Sequence, residues 1–185
     1  LDERTRAVEP DRDRSFGAWV ADSNAGARAL FEGDGYRAIR YGYEMIRRGL
    51  DDVPEAPAPA GIEFHRGSLD QAEAILAAED EAFRDHPGHR EWTDADTAST
   101  LEHPEVEPGL WVVAWDGSQI AGVVENWVHD EENQRLGISR GWLQRVSVRR
   151  PWRKRGLARA LIAESFRVLR ERGVDDACLG VDADN

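Results

Sequence analysis

The chain has 185 residues, enough for one domain of ordinary size or for one domain and part of a second. Apolar residues make up 41 %, which can supply a core, while the net charge of −12 argues against binding to nucleic acid or to an anionic membrane. No apolar run reaches the length of a membrane span. The single cysteine, Cys178, excludes an internal disulfide and favours a reducing, cytoplasmic setting.

A proline-rich stretch divides the sequence. Residues 51–61 hold three prolines among alanines and acidic residues, with no apolar periodicity, which is typical of an extended linker. We therefore expect residues 1–50 and residues 62–185 to be separate parts of the molecule.

Apolar periodicity predicts the secondary structure on both sides of this linker. Before it, residues 36–47 alternate as a strand. After it we predict a strand at 62–66, then a helix that starts with a capping box at Ser68 and Gln71 and runs through Phe83, and a second helix that begins near Thr93. Two strands follow at 110–115 and 119–124, joined by the hairpin signal Asp116-Gly117. The last predicted elements are a strand at 142–148, a helix from Leu157 to Arg172 ended by Gly173, and a strand at 177–181. This order predicts an α/β fold with a mixed, mostly antiparallel sheet flanked by helices.

An internal repeat links the two ends of the chain. Residues 20–24 read VADSN and residues 181–185 read VDADN, an offset of about 160 residues, which is the size of one domain.

The strongest chemical signal is a cluster of cations between a predicted strand and the helix after it. Residues 149–160 contain six basic side chains and no acidic one: Arg149, Arg150, Arg153, Lys154, Arg155 and Arg159. A loop in this setting directs backbone N–H groups and the positive end of the helix dipole at one place, where a phosphate is stabilised. Gly156 lets the phosphate approach without a Cβ, and Ala158 keeps the first turn slim. By charge alone, the cluster could equally be a solvated surface or a nucleic-acid patch.

Residues 148–158, VRRPWRKRGLA, resemble motif A of the GNAT superfamily, Arg/Gln-x-x-Gly-x-Gly/Ala, with Arg153, Gly156 and Ala158 at its defining positions. The resemblance covers residues 62–185. It implies the GNAT fold, acetyl-CoA as co-substrate and transfer of the acetyl group to a small-molecule amine. The alternative is a non-catalytic CoA-binding or dimerisation module.

The resemblance also implies the residues that hold the coenzyme. In this family the pantetheine pairs like an extra strand with the motif A strand, which is splayed from its neighbour, and a main-chain N–H near Val146 would polarise the thioester carbonyl. The residues implied in coenzyme binding are Val146, Ser147, Val148, Arg153, Lys154, Arg155, Gly156, Leu157, Ala158 and Asn185, the last of which resembles the Asn that opens motif B.

Residues 24–36 resemble a second copy of motif B, through Asn24, Ala27, residues 30–32 and residues 35–36. With the repeat, this resembles the tandem GNAT proteins related to mycothiol synthase. We therefore expect residues 1–50 to be the C-terminal portion of a first repeat, and residues 62–185 to be a second domain that lacks its C-terminal elements.

On this interpretation the two parts hold one complete set of GNAT elements in permuted order. We expect residues 18–48 to pack beside the strand that ends at Val181, either in the same chain or through fragment exchange in a homodimer.

The general base and acid are less evident. Relatives often carry a Glu on the motif A strand, but residues 142–145 contain no acid. The nearest substitutes lie around the end of the preceding strand: Glu125, His129, Asp130 and Glu131. The usual acid is a tyrosine of motif B. Phe31 takes that position in the first repeat, and the second counterpart is expected beyond Asn185.

Residues 85–89, DHPGH, pair two histidines in a loop without an evident third ligand. We expect no metal site there, and a substrate-facing loop or a plain surface loop instead.

Overall fold

The computed structural model describes residues 17–86 and 89–183. The chain divides into two compact units, residues 1–41 and residues 42–185. Within the first unit, helix α1 spans Ala25–Gly33 and begins after Asn24, whose side chain accepts a hydrogen bond of 3.0 Å from the Ala27 N–H. The Phe31 and Tyr36 rings meet edge to face, with centroids 5.2 Å apart. Most of the segment that resembles motif B is thus helical.

The second unit is an α/β structure in which one sheet lies between helices. Its described strands are β1 (Gly42–Arg47), β2 (Ile62–Arg66), β3 (Val112–Asp116), β4 (Gln119–Trp127), β5 (Arg140–Val148) and β6 (Asp176–Asp182). Its described helices are α2 (Ala72–Phe83), α3 (Asp94–Leu101), α4 (Asp130–Leu136) and α5 (Leu157–Glu171). None of the helices in the described part of the chain is long and apolar enough to cross a membrane.

The six strands form one sheet in the order β1-β6-β5-β4-β3-β2. Only β5 and β6 are parallel, and the other neighbours are antiparallel. The predicted mixed, mostly antiparallel sheet is confirmed. A two-residue turn containing Gly117 joins β3 to β4, as the Asp116-Gly117 signal predicts.

Strand β1 pairs along its whole length with β6 of the same chain, from Gly42 opposite Asp182 to Arg47 opposite Ala177. The expected packing beside this strand is thus found for residues 42–47. Because of this pairing, contacts divide the chain after residue 41, whereas composition divides it at residues 51–61. The assignment of residues 1–50 to a first repeat stays a prediction.

The sheet buries a hydrophobic core on each face, because alternate residues of a strand point to opposite sides. On one face α2 packs Ile75 and Leu76 against Trp111, Val113 and Val123. On the other face α5 supplies an amphipathic stripe to a second core, which includes Leu157, Leu161, Leu169, Val112, Val124 and Leu143. Helix α5 is followed by Gly173 at φ 91°, the stop that the sequence predicts.

Three local predictions differ from the structure. The capping box at Ser68 is wrong, because the Ser68 hydroxyl donates to the Gln71 side chain (3.1 Å) instead of capping the turn. A capping box stands at Thr93 and Asp96 instead. Helix α4 was not predicted, since its run of polar residues has no apolar stripe. Strand β1 is shorter than the predicted 36–47, starting at Gly42.

A close contact at Gly122 of β4 gives a test of this packing. A Cβ at Gly122 would lie 2.7 Å from the Ser147 backbone oxygen and 3.0 Å from Leu161 Cδ1. We expect Gly122→Ala to lower the free energy of unfolding by about 1–3 kcal/mol through overpacking, measured by urea denaturation. Gly180→Ala in β6, where no atom lies within 4 Å of the added Cβ, is the matched control and should change it by less than about 0.5 kcal/mol. Equal effects of the two variants would contradict this account.

Candidate functional site

Strands β5 and β6 pair over three residues only, from Arg140 opposite Asp176 to Trp142 opposite Cys178. Directly after this, the register between β4 and β5 shifts, so that Gln144 is an extra residue in β5. A bulge bends its strand and increases the local twist. β5 therefore diverges from β6, which continues alongside β1.

The divergence leaves one side of β5 without a neighbouring strand. The Arg149 N–H donates to the Ala121 oxygen of the β4 side at 3.0 Å. Because backbone groups alternate in direction along a strand, Ser147 also bonds towards β4, and Val146 and Val148 direct their N–H and C=O groups away from it. The Val148 oxygen accepts a hydrogen bond from Arg153 Nε at 2.9 Å, in agreement with this direction. The Val146 backbone groups thus face the opening between the strands.

Three of the six loop cations are engaged with acidic residues at the end of α2 and just after it. Arg149 pairs with Glu81, at 2.7 Å. Arg150 and Arg153 both pair with Asp85, and their guanidinium groups hold the pKa of that carboxyl well below its usual range. Arg153 also donates to the Ala82 oxygen at 2.7 Å. These arginines hold the loop against α2.

The other three cations, Lys154, Arg155 and Arg159, are exposed and have no ion pair with any described residue. Lys154 has φ 60°, the one positive φ outside glycine in the described part of the chain. Such a backbone costs energy and is often found where a loop is shaped for a ligand.

The start of α5 lies within this group of free cations. Gly156 precedes the helix at φ 83°, in the left-handed region that favours glycine, and no side chain caps the helix there. The first turn therefore presents backbone N–H groups without intrahelical partners. A Cβ at Gly156 would have no atom within 4 Å, so the space above it is open. Free cations, open space and an uncapped helix start fit a polyphosphate ligand.

The predicted coenzyme residues hold different positions in this arrangement. Leu157 is buried in the core, so only its backbone is available, and Ala158 is exposed in the first turn. The Ser147 hydroxyl donates to the Val123 oxygen at 3.2 Å, so it is engaged in the contact between β5 and β4. The guanidinium of Arg153 is used within the protein, as described above. Asn185 lies outside the described residues.

A cleft of about 250 Å³ lies beside the loop, lined by Pro59, Ala60, Ile62, Trp152, Arg155 and Leu157. The indole N–H of Trp152 donates to Asp116 at 2.9 Å. Pro59 and Ala60 of the linker therefore form one wall of this cleft, and Arg155 lines another part of it.

Glu125, one of the candidate bases, lies in a buried acidic cluster on the α2 face of the sheet. Its side chain is 1 % exposed, and that of Glu79 on α2 is 0 % exposed. Arg145, opposite Glu125 in β5, donates to Glu79 at 3.0 Å and stacks on the Trp92 ring, 4.2 Å from its centroid. Burial is the main cause that raises the pKa of Glu79, and the neighbouring Glu125 raises it further, against the opposing effect of Arg145.

The other three candidate bases occupy different surroundings. Asp130, the first residue of α4, forms an ion pair with Arg172 at 2.8 Å. His129 lies at the start of α4, where its Nδ1 is 2.5 Å from a Glu105 carboxyl oxygen and its ring lies near Trp127 and Trp142. Glu131 is exposed in the first turn of α4, where acidic residues stabilise a helix start.

The histidines of the 85–89 segment also point to different partners: His86 lies 3.3 Å from Asp182, and His89 lies 2.7 Å from Asp80.

Glu79 is the site residue that the sequence analysis missed. It stands on the apolar side of α2, spaced seven residues from Ala72 and three or four from Ile75 and Leu76. A charged residue within a buried stripe of this spacing is a signal, because a charge is buried only at high cost without partners.

Comparison with known proteins adds to this geometry. Residues 70–185 match the model of the acetyltransferase (GNAT) family. This chain belongs to the GNAT acetyltransferase family. The fold described above is therefore the GNAT fold.

Individual GNAT relatives agree with this assignment. The chain is 30 % identical over 185 residues to the mycothiol acetyltransferase of Salinispora arenicola, covering 97 % of this chain and 59 % of that protein. It is 33 % identical over 174 residues to the mycothiol acetyltransferase of Streptomyces bingchenggensis, covering 90 % and 54 %. The crystal structure of a GCN5-related N-acetyltransferase from Sphaerobacter thermophilus matches with a TM-score of 0.67 and 34 % identity, covering 88 % of this chain and 49 % of that one. The chain thus spans about half the length of these relatives.

The raised pKa of Glu79 predicts a pH dependence of stability. In the folded state Glu79 keeps its proton above about pH 4.3, where an unfolded glutamate loses it. Stability should therefore fall as the pH rises, by at most about 1.4 kcal/mol per pH unit, until Glu79 ionises. Urea denaturation from about pH 5 upwards should show this slope, and Glu79→Gln should flatten it.

Glu73→Gln, an exposed change in the first turn of the same helix, should keep the slope. The lowered pKa values of Asp85 and Asp96 act only below about pH 4, outside this window. Parallel curves for the parent protein and Glu79→Gln would contradict the prediction.

Proposed function

We propose that the protein transfers an acetyl group from acetyl-CoA to an amine acceptor. The observation that carries the proposal is the uncapped start of α5 at Gly156, with three unpaired cations around it, at the end of a strand that diverges from its neighbour. This combination offers a polyphosphate site in line with an open strand edge, which is the pair of features that a long pantetheine-phosphate ligand requires.

The chain's own groups would hold acetyl-CoA in two places. Lys154, Arg155 and the N–H groups of the first turn of α5 would bind its pyrophosphate. The backbone of Val146, which faces the opening, would pair with the pantetheine arm. Arg153 would act within the loop, since it ties the loop to Val148 and to the end of α2.

When bound, acetyl-CoA supplies an acetyl group activated as a thioester. A main-chain N–H near Val146 would donate a hydrogen bond to the thioester oxygen and stabilise the negative charge that develops there. This donor is fixed by the sheet, so it needs no reorganisation during the reaction.

We assign the role of general base to Glu125. It follows Val124, which lies opposite Val146 in the sheet, so it stands at the level of the open edge, one strand across on β4. Its oxygen Oε1 is buried and has no hydrogen-bond partner among the described residues. A carboxylate oxygen without a partner can accept the proton of an ammonium group.

The acceptor is a small-molecule amine. The names of the relatives nominate a cysteinyl pseudodisaccharide, the amine expected of a mycothiol-type acetyltransferase, as the first acceptor to assay. Other small amines, including aminoglycoside antibiotics, are the alternatives. Trp92, which lies against Arg145, marks the side from which the acceptor would approach.

We also infer that residues 1–50 derive from the first of two GNAT repeats. The helix α1, capped by Asn24, supports this, as does the length of the relatives, of which the chain covers 59 % or less. A cytoplasmic location, the absence of nucleic-acid binding and the possibility of a homodimer stay predictions from the sequence.

The phosphate site can be tested by calorimetry with acetyl-CoA. Arg155→Gln should weaken binding about tenfold, the effect of losing one charge-assisted hydrogen bond of about 1.5 kcal/mol. Gly156→Glu should abolish binding, because it places a carboxylate where the phosphate would lie and forces a side chain onto a left-handed backbone. Arg170→Gln, at the other end of α5, is the control and should bind as the parent does. Binding that survives Gly156→Glu would refute the site.

The base can be tested by thiol release with a panel of amines. Glu125→Gln should lower kcat by roughly 10²–10⁴ while the affinity for acetyl-CoA is retained. His129→Asn tests the alternative base, and Glu73→Gln is the control on an exposed surface. A loss confined to His129→Asn would transfer the role to the His129–Glu105 pair. Binding of acetyl-CoA without turnover of any amine would favour the non-catalytic CoA-binding module.

A further inference from the structure

Two buried carboxyl groups meet one arginine between α2 and the sheet. Glu79 reaches down from α2, Glu125 stands on β4, and Arg145 on β5 lies opposite Glu125. These three are the charged groups that face one another in the cluster, and Trp92 covers the guanidinium of Arg145.

The hydrogen bonds within this cluster cannot all be satisfied unless one carboxyl group carries a proton. Glu79 Oε2 accepts from Arg145 Nη1 at 3.0 Å. Glu79 Oε1 and Glu125 Oε1 are both buried and find no donor among the described residues. Glu125 is close enough to raise the pKa of Glu79. A proton on one of the two carboxyl groups would supply a donor to the other, whereas two ionised carboxylates could only accept.

The balance of charge also requires one proton on the carboxyl pair. Two ionised carboxylates beside one guanidinium would leave a net negative charge in a fully buried place, which is costly. One proton on the carboxyl pair makes the cluster neutral and supplies the missing donor.

We infer that Glu79 and Glu125 share a single proton, and that Glu79 is the positioning residue that orients Glu125 for its work as a base. The inference deepens the proposed function and rests on it for the role of Glu125. In this arrangement the Glu79 carboxyl donates an O–H hydrogen bond to the Glu125 carboxylate, while Arg145 holds the other oxygen of Glu79.

The proton balance of acetyl transfer follows from this arrangement. Glu125, ionised at the start, would take one proton from the ammonium form of the acceptor, and the free amine would then attack the thioester carbonyl. As the N–C bond forms, the C–S bond breaks and the second proton of the amine goes to the departing thiolate, so that coenzyme A leaves as the thiol and Glu125 returns its proton to the solvent. Glu79 keeps its own proton throughout, and its hydrogen bond fixes the orientation of the Glu125 carboxylate.

Infrared spectroscopy tests the shared proton without any turnover. At neutral pH the parent protein should show the C=O stretching band of one protonated carboxyl group. The band should vanish in Glu79→Gln. In Glu125→Gln it should shift in frequency, because Glu79, whose proton burial favours, loses the carboxylate that accepts its O–H hydrogen bond. Glu73→Gln should leave it unchanged. A parent protein without the band, or a band at the same frequency in Glu125→Gln, would overturn the inference, since the second result shows a Glu79 proton that Glu125 does not share.

The kcat for amine acetylation tests the positioning role. Glu79→Leu, which removes the donor, should lower kcat while the KM for acetyl-CoA is unchanged, and Glu79→Gln, which keeps an N–H donor at the same place, should recover part of the loss. Thermal melting checks that each variant folds. Equal kcat values for the parent and both variants would overturn the role of Glu79. A shared proton in a protein that acetylates no amine would refute the proposed function and leave the proton pair standing.

Discussion

The short parallel contact between β5 and β6 is the constraint on which the rest of the site depends. After Trp142 and Cys178 the two strands no longer pair, and the bulge at Gln144 turns β5 towards β4. The backbone edge of Val146 is thereby left open. Because β5 leads directly into the loop and α5, the open edge and the phosphate site lie on one continuous path. A ligand that is both extended and anionic can follow this path.

Acidic residues at the end of helix α2 and just after it reduce the positive charge along that path. Three arginines of the loop would repel one another if they were unpaired, but Glu81 and Asp85 offset two of the three charges and fix the loop in place. The cations around Gly156 have no ion-pair partner among the residues that the structure describes, within a chain of net charge −12. A local positive site in an acidic protein favours a polyanionic small molecule over a nucleic acid, because the wider surface repels a long polyanion.

Helix α2 also contributes Glu79 to the buried acidic cluster. Its buried face is apolar except at Glu79, which is placed against Glu125 and Arg145. Burying these groups opposes folding, and the cluster persists because its members satisfy one another. Such a cost is typical of functional positions, where a sequence departs from the pattern that stability alone would favour. One helix thus fixes both the phosphate loop and the surroundings of the base.

The sequence by itself determined the features that depend on neighbours along the chain. The strand, loop and helix of motif A, the Gly117 turn and the stop at Gly173 follow from local periodicity and from glycine geometry, and all of them stand in the structure. Tertiary structure decided three further features. It brought β1 onto β6, it selected which loop cations remain unpaired, and it joined Glu79 to Glu125. Each of these depends on residues distant in sequence, and the energy of a pairing or of a buried charge is set by partners that periodicity does not identify.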